Sequence, residues 1–516
     1  MRVKSLFYRS TLVRTFEIIL ILLNVLTLFL SLKKPPKGVW LGVAGINLFT
    51  LLLQILCEGF RYQMVFSYLF VVLLVIFALL KTGTKFSAAK LPKALKVTTI
   101  SLSLILLAFT SLLAYALPVF TLPKPTGSTD VGIKYFHLVD QKRNEPFLDK
   151  SQKKRELMVK IYYPGKKDDS KPYSPYFHGS TELLKLFAEA YSMPDFMLEH
   201  LRLVKTYTRD DLQLSDQQAS YPVVLFSHGG GTTMEVHTSQ CEDLASHGYI
   251  VVAIDHTYIS AGSIFPDRIV SARQATTQFN SPDPADIIDQ IMVEDDRFVM
   301  DELAEMNEGK IASIFMGRLD LQHIGVIGHS LGGAVAYNLA INDRRVKAAI
   351  NLDGSVYVTP KAGLKNVAPF LMLANDENHI QAIQQQEPLL KKFADLTDEQ
   401  QKQALEIYGS KEAYAKEYEK ALQSISGLKK VLQASENLYT IEGSAHMKFT
   451  DIGLFFGSSQ LRDLIGIHGQ TDPTKCLEIT QAVTVAFFDQ HLKGETNASL
   501  HPLFKKYQEL KNVALN

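Results

Sequence analysis

Residues 323–340 read HIGVIGHSLGGAVAYNLA, an apolar run that enters Gly328-His329-Ser330-Leu331-Gly332 and continues into a helical pattern. This order of strand, G-x-S-x-G and helix is typical of a nucleophile elbow, a tight turn that exposes a serine hydroxyl. Small residues on both sides of the serine keep such a turn free of steric clashes. The stretch therefore predicts Ser330 as a nucleophile at the end of a strand in an α/β sheet.

A serine hydroxyl is a weak nucleophile at neutral pH and needs a neighbouring base. In chains with this elbow the order is serine, acid and histidine, so both partners are sought after Ser330. His446 lies in GSAH, just beyond the last predicted strand, 437–442, and we predict that it is the base. The acid has two candidates, because Asp353 and Asp376 each follow a predicted strand. The strand pattern alone slightly favours Asp376.

The oxyanion of an acyl-transfer intermediate is stabilised by two backbone N–H groups. Leu331 supplies one of them, since it follows the nucleophile. The sequence SHGGG at 227–231 follows another apolar strand and resembles the glycine-rich loop that supplies the second donor, from Gly229 or Gly230. A phosphate-binding loop is excluded, because the chain contains no G-x-x-x-x-G-K-[ST].

Short apolar runs rich in β-branched residues recur from residue 130 onward and alternate with helical patterns. This alternation predicts a largely parallel sheet with helices on both faces. The polar stretch 376–436 reads as a helical insertion near the strand ends, in the position of a lid or cap. The predicted strands are 157–163, 221–226, 249–254, 323–328, 346–352, 369–374 and 437–442.

The first 120 residues contain apolar runs at 16–32, 39–57, 63–80 and 97–118. Each is about as long as a helix that crosses a bilayer core of roughly 30 Å. Of the polar residues inside them, we expect Glu17, near a helix end, to reach the lipid headgroups, and the amides of Asn24 and Gln54 to join helices. We therefore predict a membrane domain over 1–120, a linker over 121–129 and a soluble domain over 130–516.

Basic residues cluster in the first and third connections between these runs. The positive-inside rule places both connections in the cytoplasm, so that the soluble domain lies outside the cell membrane. Basic residues ahead of the first run favour the opposite orientation. The first connection carries Lys33, Lys34 and Lys37, the third carries Lys81, Lys85, Lys90, Lys93 and Lys96, and Arg2, Lys4, Arg9 and Arg14 precede the first run.

The composition excludes several classes of protein. The 516 residues include 54 Lys and Arg against 53 Asp and Glu, a balance that argues against a general nucleic-acid-binding protein. Three cysteines rule out a disulfide scaffold and match no zinc-site spacing. A hydrophobic content of 47% excludes a largely disordered chain. The predicted chemistry needs no metal and no cofactor.

The motifs resemble the platelet-activating-factor acetylhydrolase family of the plasma and isoform II type, a branch of the α/β-hydrolases. The resemblance implies an α/β-hydrolase fold, here preceded by an all-α domain of four transmembrane helices. It also implies a triad of Ser330, Asp353 and His446, with an oxyanion hole formed by the N–H groups of Gly230 and Leu331, and so moves the acid from Asp376 to Asp353. The similar segments are 122–140, 221–231, 243–256, 324–334, the strand ending at 352–353, and 443–449.

Three features depart from that family: the four apolar runs, Leu331 in place of an aromatic residue, and a longer segment between acid and base. We expect a membrane-anchored serine esterase that hydrolyses lipid esters through an acyl-enzyme. The resemblance implies phospholipids with a short or oxidised acyl chain as substrates. A broad-specificity carboxylesterase or lipase is the alternative. A non-catalytic membrane sensor built on a hydrolase fold is disfavoured, because every member of the triad is present.

Overall fold

The computed structural model describes residues 14–33, 35–82, 92–150, 152–178, 180–277, 285–359, 364–375, 379–495 and 498–515. Its N-terminal part holds four helices whose length and hydropathy suit membrane crossing. They coincide with the predicted runs to within a few residues at each end. The helices are α1 (Thr15–Leu32), α2 (Lys37–Leu53), α3 (Val65–Thr82) and α4 (Lys93–Ala116), and α2 continues into a π-helical turn at Gln54–Glu58.

Polar side chains join these four helices internally. Asn24 on α1 donates to Ser67 Oγ on α3 at 2.7 Å, as expected of an amide between helices. The expectation that Glu17 reaches the headgroups is wrong. Its carboxylate lies 2.7 Å from Arg61 Nη1, and both side chains are fully buried. Arg61 also donates to the carbonyl of Leu117 at 2.6 Å, so this ion pair links the start of α1 to the end of α4.

A mixed sheet of ten strands forms the centre of the rest of the chain, in the order β12-β11-β10-β9-β8-β4-β5-β2-β1-β3. The run from β11 to β5 is parallel, whereas β2 and β12 pair antiparallel to their inner neighbours. The strands are β1 (Asp130–Asn144), β2 (Lys154–Gly165), β3 (Thr208–Asp210), β4 (Tyr221–Ser227), β5 (Ile250–Asp255), β8 (Leu319–His329), β9 (Val346–Leu352), β10 (Phe370–Ala374), β11 (Leu438–Ile441) and β12 (Leu510–Asn512). A separate hairpin joins β6 (Gly262–Ile264) and β7 (Ile269–Ser271).

Helices cover both faces of the sheet and bury its apolar side chains. One face packs against α7 and α8 and includes Met292, Val299 and Leu339, while the other packs against α6 and α13 and includes Leu244 and Phe487. This arrangement is the α/β-hydrolase fold predicted from the sequence. The helices are α5 (Thr181–Ala190), α6 (Thr238–Ser246), α7 (Ala285–Asn307), α8 (Leu331–Asn342), α9 (His379–Gln385), α10 (Asp398–Tyr408), α11 (Lys411–Ser435), α12 (Ser459–Leu464), α13 (Pro473–Leu492) and α14 (His501–Lys506).

At β4, the direction in which successive strands are added to the sheet reverses. The chain passes from β4 to β5 on one side, and then returns to place β8 on the other side of β4. In open α/β sheets, ligands bind in the crevice at the carboxyl ends of the strands at such a switch point. The glycine-rich loop follows β4 and Ser330 follows β8, so both predicted motifs lie at this crevice.

The segment that connects the two parts of the chain packs against the sheet domain. Leu122 is buried, and the backbone N–H of Thr126 donates to Asp243 Oδ1 at 2.6 Å. Residues just before it also contact the domain, since Phe120 stacks on Phe455 with ring centroids 5.6 Å apart. The four N-terminal helices are therefore joined to the sheet domain through a segment that packs against that domain.

Candidate active site

Ser330 occupies the sharp turn between β8 and α8. Its backbone has φ 56° and ψ −119°, a conformation that L-residues rarely adopt. The turn fits because glycines surround it: a Cβ added to Gly332 would lie 1.9 Å from the Ser227 carbonyl oxygen, and one added to Gly354 would lie 2.2 Å from the Ser330 carbonyl oxygen. The sequence thus folds into the strained turn expected of a nucleophile elbow.

His446 and Asp353 come together at the same edge of the sheet. Asp353 follows β9, is fully buried, and has one carboxylate oxygen 2.7 Å from Nδ1 of His446. His446 follows β11 in a 3₁₀ turn, and it lines one cavity of about 320 Å³ with Ser330 and Leu331. The geometry is that of a base whose tautomer is fixed by a carboxylate. Asp376, the alternative acid, lies outside the described residues.

Two further side chains hold the Asp353 carboxylate. Asn375 donates its backbone N–H to Oδ1 at 2.9 Å and its side-chain amide to Oδ2 at 2.6 Å. His379, at the start of α9, places Nδ1 2.8 Å from Oδ1. Neither residue was predicted from the sequence to belong to the site. The position of Asn375 follows from the strand order: Asn375 comes directly after β10, and β10 neighbours β9, so Asn375 lies beside the residue that follows β9.

The electrostatics of this cluster favour an ionised carboxylate. Burial alone would raise the pKa of Asp353, but hydrogen bonds from His379 and His446 outweigh it and hold the pKa well below its usual value. Burial likewise acts to lower the pKa of His379, yet the bond to Asp353 prevails and raises it. A charged carboxylate is the state that orients and stabilises a protonated base.

The glycine-rich loop after β4 lies against the elbow. A Cβ added to Gly229 would be 3.0 Å from Cβ of Ser330, and one added to Gly230 would be 2.8 Å from Cδ1 of Leu331. Within the described residues, no hydrogen bond uses the backbone N–H of Gly230 or of Leu331. Both donors are therefore available to an oxyanion, as the resemblance implies.

Buried hydrogen bonds hold this loop in place. Thr232 donates its N–H and its hydroxyl to the Gly229 carbonyl at 3.2 and 2.7 Å. Below the loop, Ser227 donates to Asp296 at 2.9 Å, and His256 lies within hydrogen-bonding distance of Ser227 at 3.1 Å. These contacts fix the end of β4, and with it the position of the loop donors, before any substrate binds.

His329, the residue before Ser330, contacts the candidate base His446 through its backbone and its ring. Its Nε2 lies 3.0 Å from the carbonyl oxygen of His446, and the two rings are 4.5 Å apart. Burial lowers the pKa of His329 well below its usual value, so the ring is neutral and donates from Nε2. His329 thereby ties the backbone of the base to the elbow strand. Among the described residues, no group of acidic, His and Cys side chains is arranged to hold a metal ion.

Comparisons with known proteins agree on a family of esterases. The platelet-activating factor acetylhydrolase, isoform II, family matches residues 117–278 and 296–509. A platelet-activating factor acetylhydrolase from Canis lupus familiaris is 24% identical over 363 residues, which cover 65% of this chain and 71% of that protein. A probable 1-alkyl-2-acetylglycerophosphocholine esterase from Arthroderma benhamiae is 25% identical over 269 residues, 49% of this chain and 64% of the relative.

A solved structure shows the same fold. A ferulic acid esterase from Streptomyces cinnamoneus superposes with a TM-score of 0.53 and 26% identity, and covers 76% of this chain and 99% of its own. The chain thus spans nearly all of that esterase and less than two thirds of the relative from Arthroderma benhamiae. The family match begins at residue 117, after the four apolar helices, so these helices lie outside the matched region.

Proposed function

Since the chain belongs to the platelet-activating factor acetylhydrolase family of isoform II type, we propose that it is a serine esterase that hydrolyses carboxylic ester bonds of lipids. The observation that carries the proposal is the meeting of Ser330, His446 and Asp353 at the switch point of the sheet, with His446 Nδ1 2.7 Å from Asp353. The names of the relatives, acetylhydrolase and esterase, support the same class of reaction.

In the proposed reaction, Ser330 Oγ forms a bond to the carbonyl carbon of the ester while its proton passes to Nε2 of His446. The carbonyl oxygen takes up negative charge and accepts hydrogen bonds from the N–H groups of Gly230 and Leu331. When the tetrahedral intermediate collapses, the alcohol leaves with the proton from His446. Water then attacks the acyl-enzyme by the same route, and releases the acid and free Ser330.

Asp353 has the role of holding His446 in one tautomer during this cycle. Its carboxylate accepts from Nδ1, which leaves Nε2 as the nitrogen that can take the proton of the nucleophile. Because the pKa of Asp353 is held well below its usual value, the carboxylate stays charged while the imidazole gains a proton. The opposite charges stabilise the protonated base in the transition state.

The four apolar helices support anchoring in a membrane, where lipid esters are concentrated. We place the hydrolase domain outside the cell, as the lysine distribution predicts. The resemblance to acetylhydrolases favours phospholipids with a short or oxidised acyl chain. The fold similarity to a ferulic acid esterase favours a second candidate of the same chemistry, a broad-specificity carboxylesterase.

A fluorophosphonate probe tests the serine mechanism directly, because it reacts with an activated serine. We expect the full chain to be labelled and to hydrolyse p-nitrophenyl acetate. Ser330→Ala should lose both the labelling and the hydrolysis. Ser459→Ala, at an exposed position, is the matched control and should keep both the labelling and the hydrolysis. Unlabelled wild-type protein of normal stability would support a non-catalytic sensor instead. A panel of phospholipid and simple esters then separates the two esterase candidates.

A further inference from the structure

A second cavity lies under the helical insertion, next to the one that contains Ser330. Its volume is about 290 Å³, and we call it the insertion cavity. Its walls are mainly aliphatic and come from the insertion, from β10 and from residues 354–357 after β9. The side chains that matter here are Met372, Ala382, Ile383, Ala421, Ile425 and Leu428.

The insertion cavity adjoins the candidate active site. Ser355, Tyr357, His379 and Leu389 line both the insertion cavity and the cavity that contains Ser330. Leu389 is exposed although it is apolar, and it lies where the two cavities meet. A group attached to the reacting ester is therefore able to pass from the nucleophile into the space beneath α9 and α11.

The charges at the insertion cavity are already paired. Lys420 lies on α11 and forms ion pairs with Asp286 and, at 3.7 Å, with Glu417. Among the described residues of this lining, Lys420, Glu417 and His379 each have a charged partner, His379 in Asp353 at 2.8 Å, and the rest of the described lining is largely aliphatic. Ligand pockets of this kind take up apolar groups, because burial removes hydrocarbon from water.

We propose that the insertion cavity binds an aliphatic chain of the ester substrate, longer than the methyl group of an acetyl ester. The inference rests on the proposed esterase function and narrows its substrate class to esters with an extended hydrocarbon chain. The chain belongs either to the acyl group or to the alcohol, since both are attached to the carbonyl carbon that Ser330 attacks.

Two series of esters distinguish these sources. The full-length protein in lipid nanodiscs is assayed with p-nitrophenyl acetate, hexanoate and decanoate for the acyl arm. Methyl, hexyl and decyl acetates, followed by release of acetate, form the alcohol arm. In one arm, we expect kcat/KM to rise by at least about tenfold from the shortest to the six-carbon member, because methylene groups in an apolar pocket discriminate at this scale.

Filling the cavity tests its identity. Ala421→Trp places a large side chain in the insertion cavity. In the series that shows the rise, it should lower the ratio of kcat/KM for the six-carbon ester to kcat/KM for the shortest ester by about tenfold or more. Ala415→Trp, at an exposed position of the same helix, is the matched control and should leave the ratio unchanged. Ile425→Ala enlarges the cavity and should shift the preferred chain toward decanoate or decyl acetate. Melting temperatures establish that each variant is folded.

Two results would overturn the inference if p-nitrophenyl acetate is still hydrolysed. One is a kcat/KM that does not change with chain length in either series, and the other is an unchanged ratio of kcat/KM between the six-carbon and the shortest ester in folded Ala421→Trp and Ile425→Ala. Absence of hydrolysis of every ester, together with absence of labelling at Ser330, would instead overturn the esterase proposal and this inference with it. A rise in one arm that Ala421→Trp abolishes supports the inference and assigns the chain to that side of the ester.

Discussion

Nδ1 of His379 lies 2.8 Å from one oxygen of Asp353, the carboxylate whose other oxygen is 2.7 Å from Nδ1 of His446. Two imidazoles from different parts of the chain therefore share one buried acid. His379 reaches the carboxylate from the insertion, and its Nε2 is 3.2 Å from the Ser355 hydroxyl. The insertion is thus tied directly to the candidate acid through His379.

We expect His379→Gln to lower the free energy of unfolding by about 2 kcal/mol near pH 5.5, the contribution of a charged hydrogen bond. The hydrogen bond to Asp353 raises the pKa of His379, against the effect of burial. Because the pKa of His379 is higher in the folded state, its protonation stabilises the fold in full below the unfolded-state pKa of about 6.5. This stabilisation is lost as the pH rises through the folded-state pKa. The loss should therefore shrink at pH 9.

Urea denaturation of both proteins at pH 5.5, 7 and 9 measures this difference. His323→Gln is the control, because His323 pairs with Asp320 at the exposed surface, 2.7 Å apart, where such pairs contribute little. Hydrolysis of p-nitrophenyl acetate by His379→Gln should remain within a few-fold of wild type, since Asn375 still holds the carboxylate. An equal loss of stability at all three pH values would contradict a role for the charge.

The strand pattern brought Ser330, His446 and both candidate acids to one edge, because parallel strands end on the same side of a sheet, and the resemblance to the family chose Asp353 over Asp376. Ser330, Asp353 and His446 follow β8, β9 and β11, and their positions in the chain determine their meeting in space. His379 could not be placed in the same way. It lies in the polar insertion, and its contact with Asp353 depends on how α9 packs, which no local pattern records.

Other differences have similar physical causes. The strand β1, Asp130–Asn144, was not among the predicted strands, because its sequence mixes charged and apolar residues and ten of its fifteen residues are at least partly exposed. The buried pair of Glu17 and Arg61 depends on two segments 44 residues apart, and helix periodicity within α1 carries no information about it. Patterns within one element predict that element, whereas contacts between elements require the packed structure.

The identity of the acid is testable by two substitutions. We expect Asp353→Asn to lower kcat by on the order of 10⁴, because His446 loses the group that fixes its tautomer. Asp376→Asn should keep most of the activity, because the His446 Nδ1 proton already has a partner in Asp353. Steady-state kinetics with p-nitrophenyl acetate measure both effects, and circular dichroism establishes that both variants are folded. Exchanged phenotypes would assign the acid to Asp376.

The close packing of the elbow predicts that Gly332→Ala is not tolerated. The added methyl group would lie 1.9 Å from the Ser227 carbonyl oxygen, so β4 and the elbow must move apart. We expect loss of p-nitrophenyl acetate hydrolysis and a fall in the free energy of unfolding of about 3 kcal/mol, the upper end of the cost of overpacking. Gly332→Ala with normal kinetics would mean that the elbow is less constrained.

Gly409→Ala is the matched comparison. Gly409 has φ 77° at the end of α10 and has nothing within 4 Å of an added Cβ, so the substitution introduces only backbone strain. It should cost about 1 kcal/mol and leave kinetics unchanged. The contrast separates the effect of a collision at the active site from that of an unfavourable backbone conformation.

The side of the membrane on which the hydrolase domain lies is tested with a cysteine at Lys142, an exposed position in β1. Cys57 is exposed and is first replaced by serine, whereas Cys241 and Cys476 are buried. An outward domain, as the lysine-rich connections predict, should react with an impermeant maleimide in intact cells. Reaction only after lysis would place the domain in the cytoplasm.

The packing of residues 117–122 predicts where the hydrolase domain begins. Leu117, Phe120 and Leu122 are buried in one apolar cluster of the domain, and Phe120 stacks on Phe455 at 5.6 Å. A protein that starts at Leu117 should fold and hydrolyse p-nitrophenyl acetate with a kcat/KM within a few-fold of the full chain. The reason is that the residues lining the Ser330 cavity all lie beyond the four apolar helices.

A protein that starts at Pro123 lacks Phe120 and Leu122 and should be much less stable. Removal of a buried phenylalanine side chain costs about 3–5 kcal/mol and that of a leucine about 2–5 kcal/mol, against a total stability of about 5–15 kcal/mol for a domain. Thermal unfolding of both proteins measures the difference. Equal melting temperatures would show that residues 117–122 do not stabilise the domain. A folded but inactive protein from Leu117 would show that the N-terminal helices contribute to the active site, because its own core and site residues are complete.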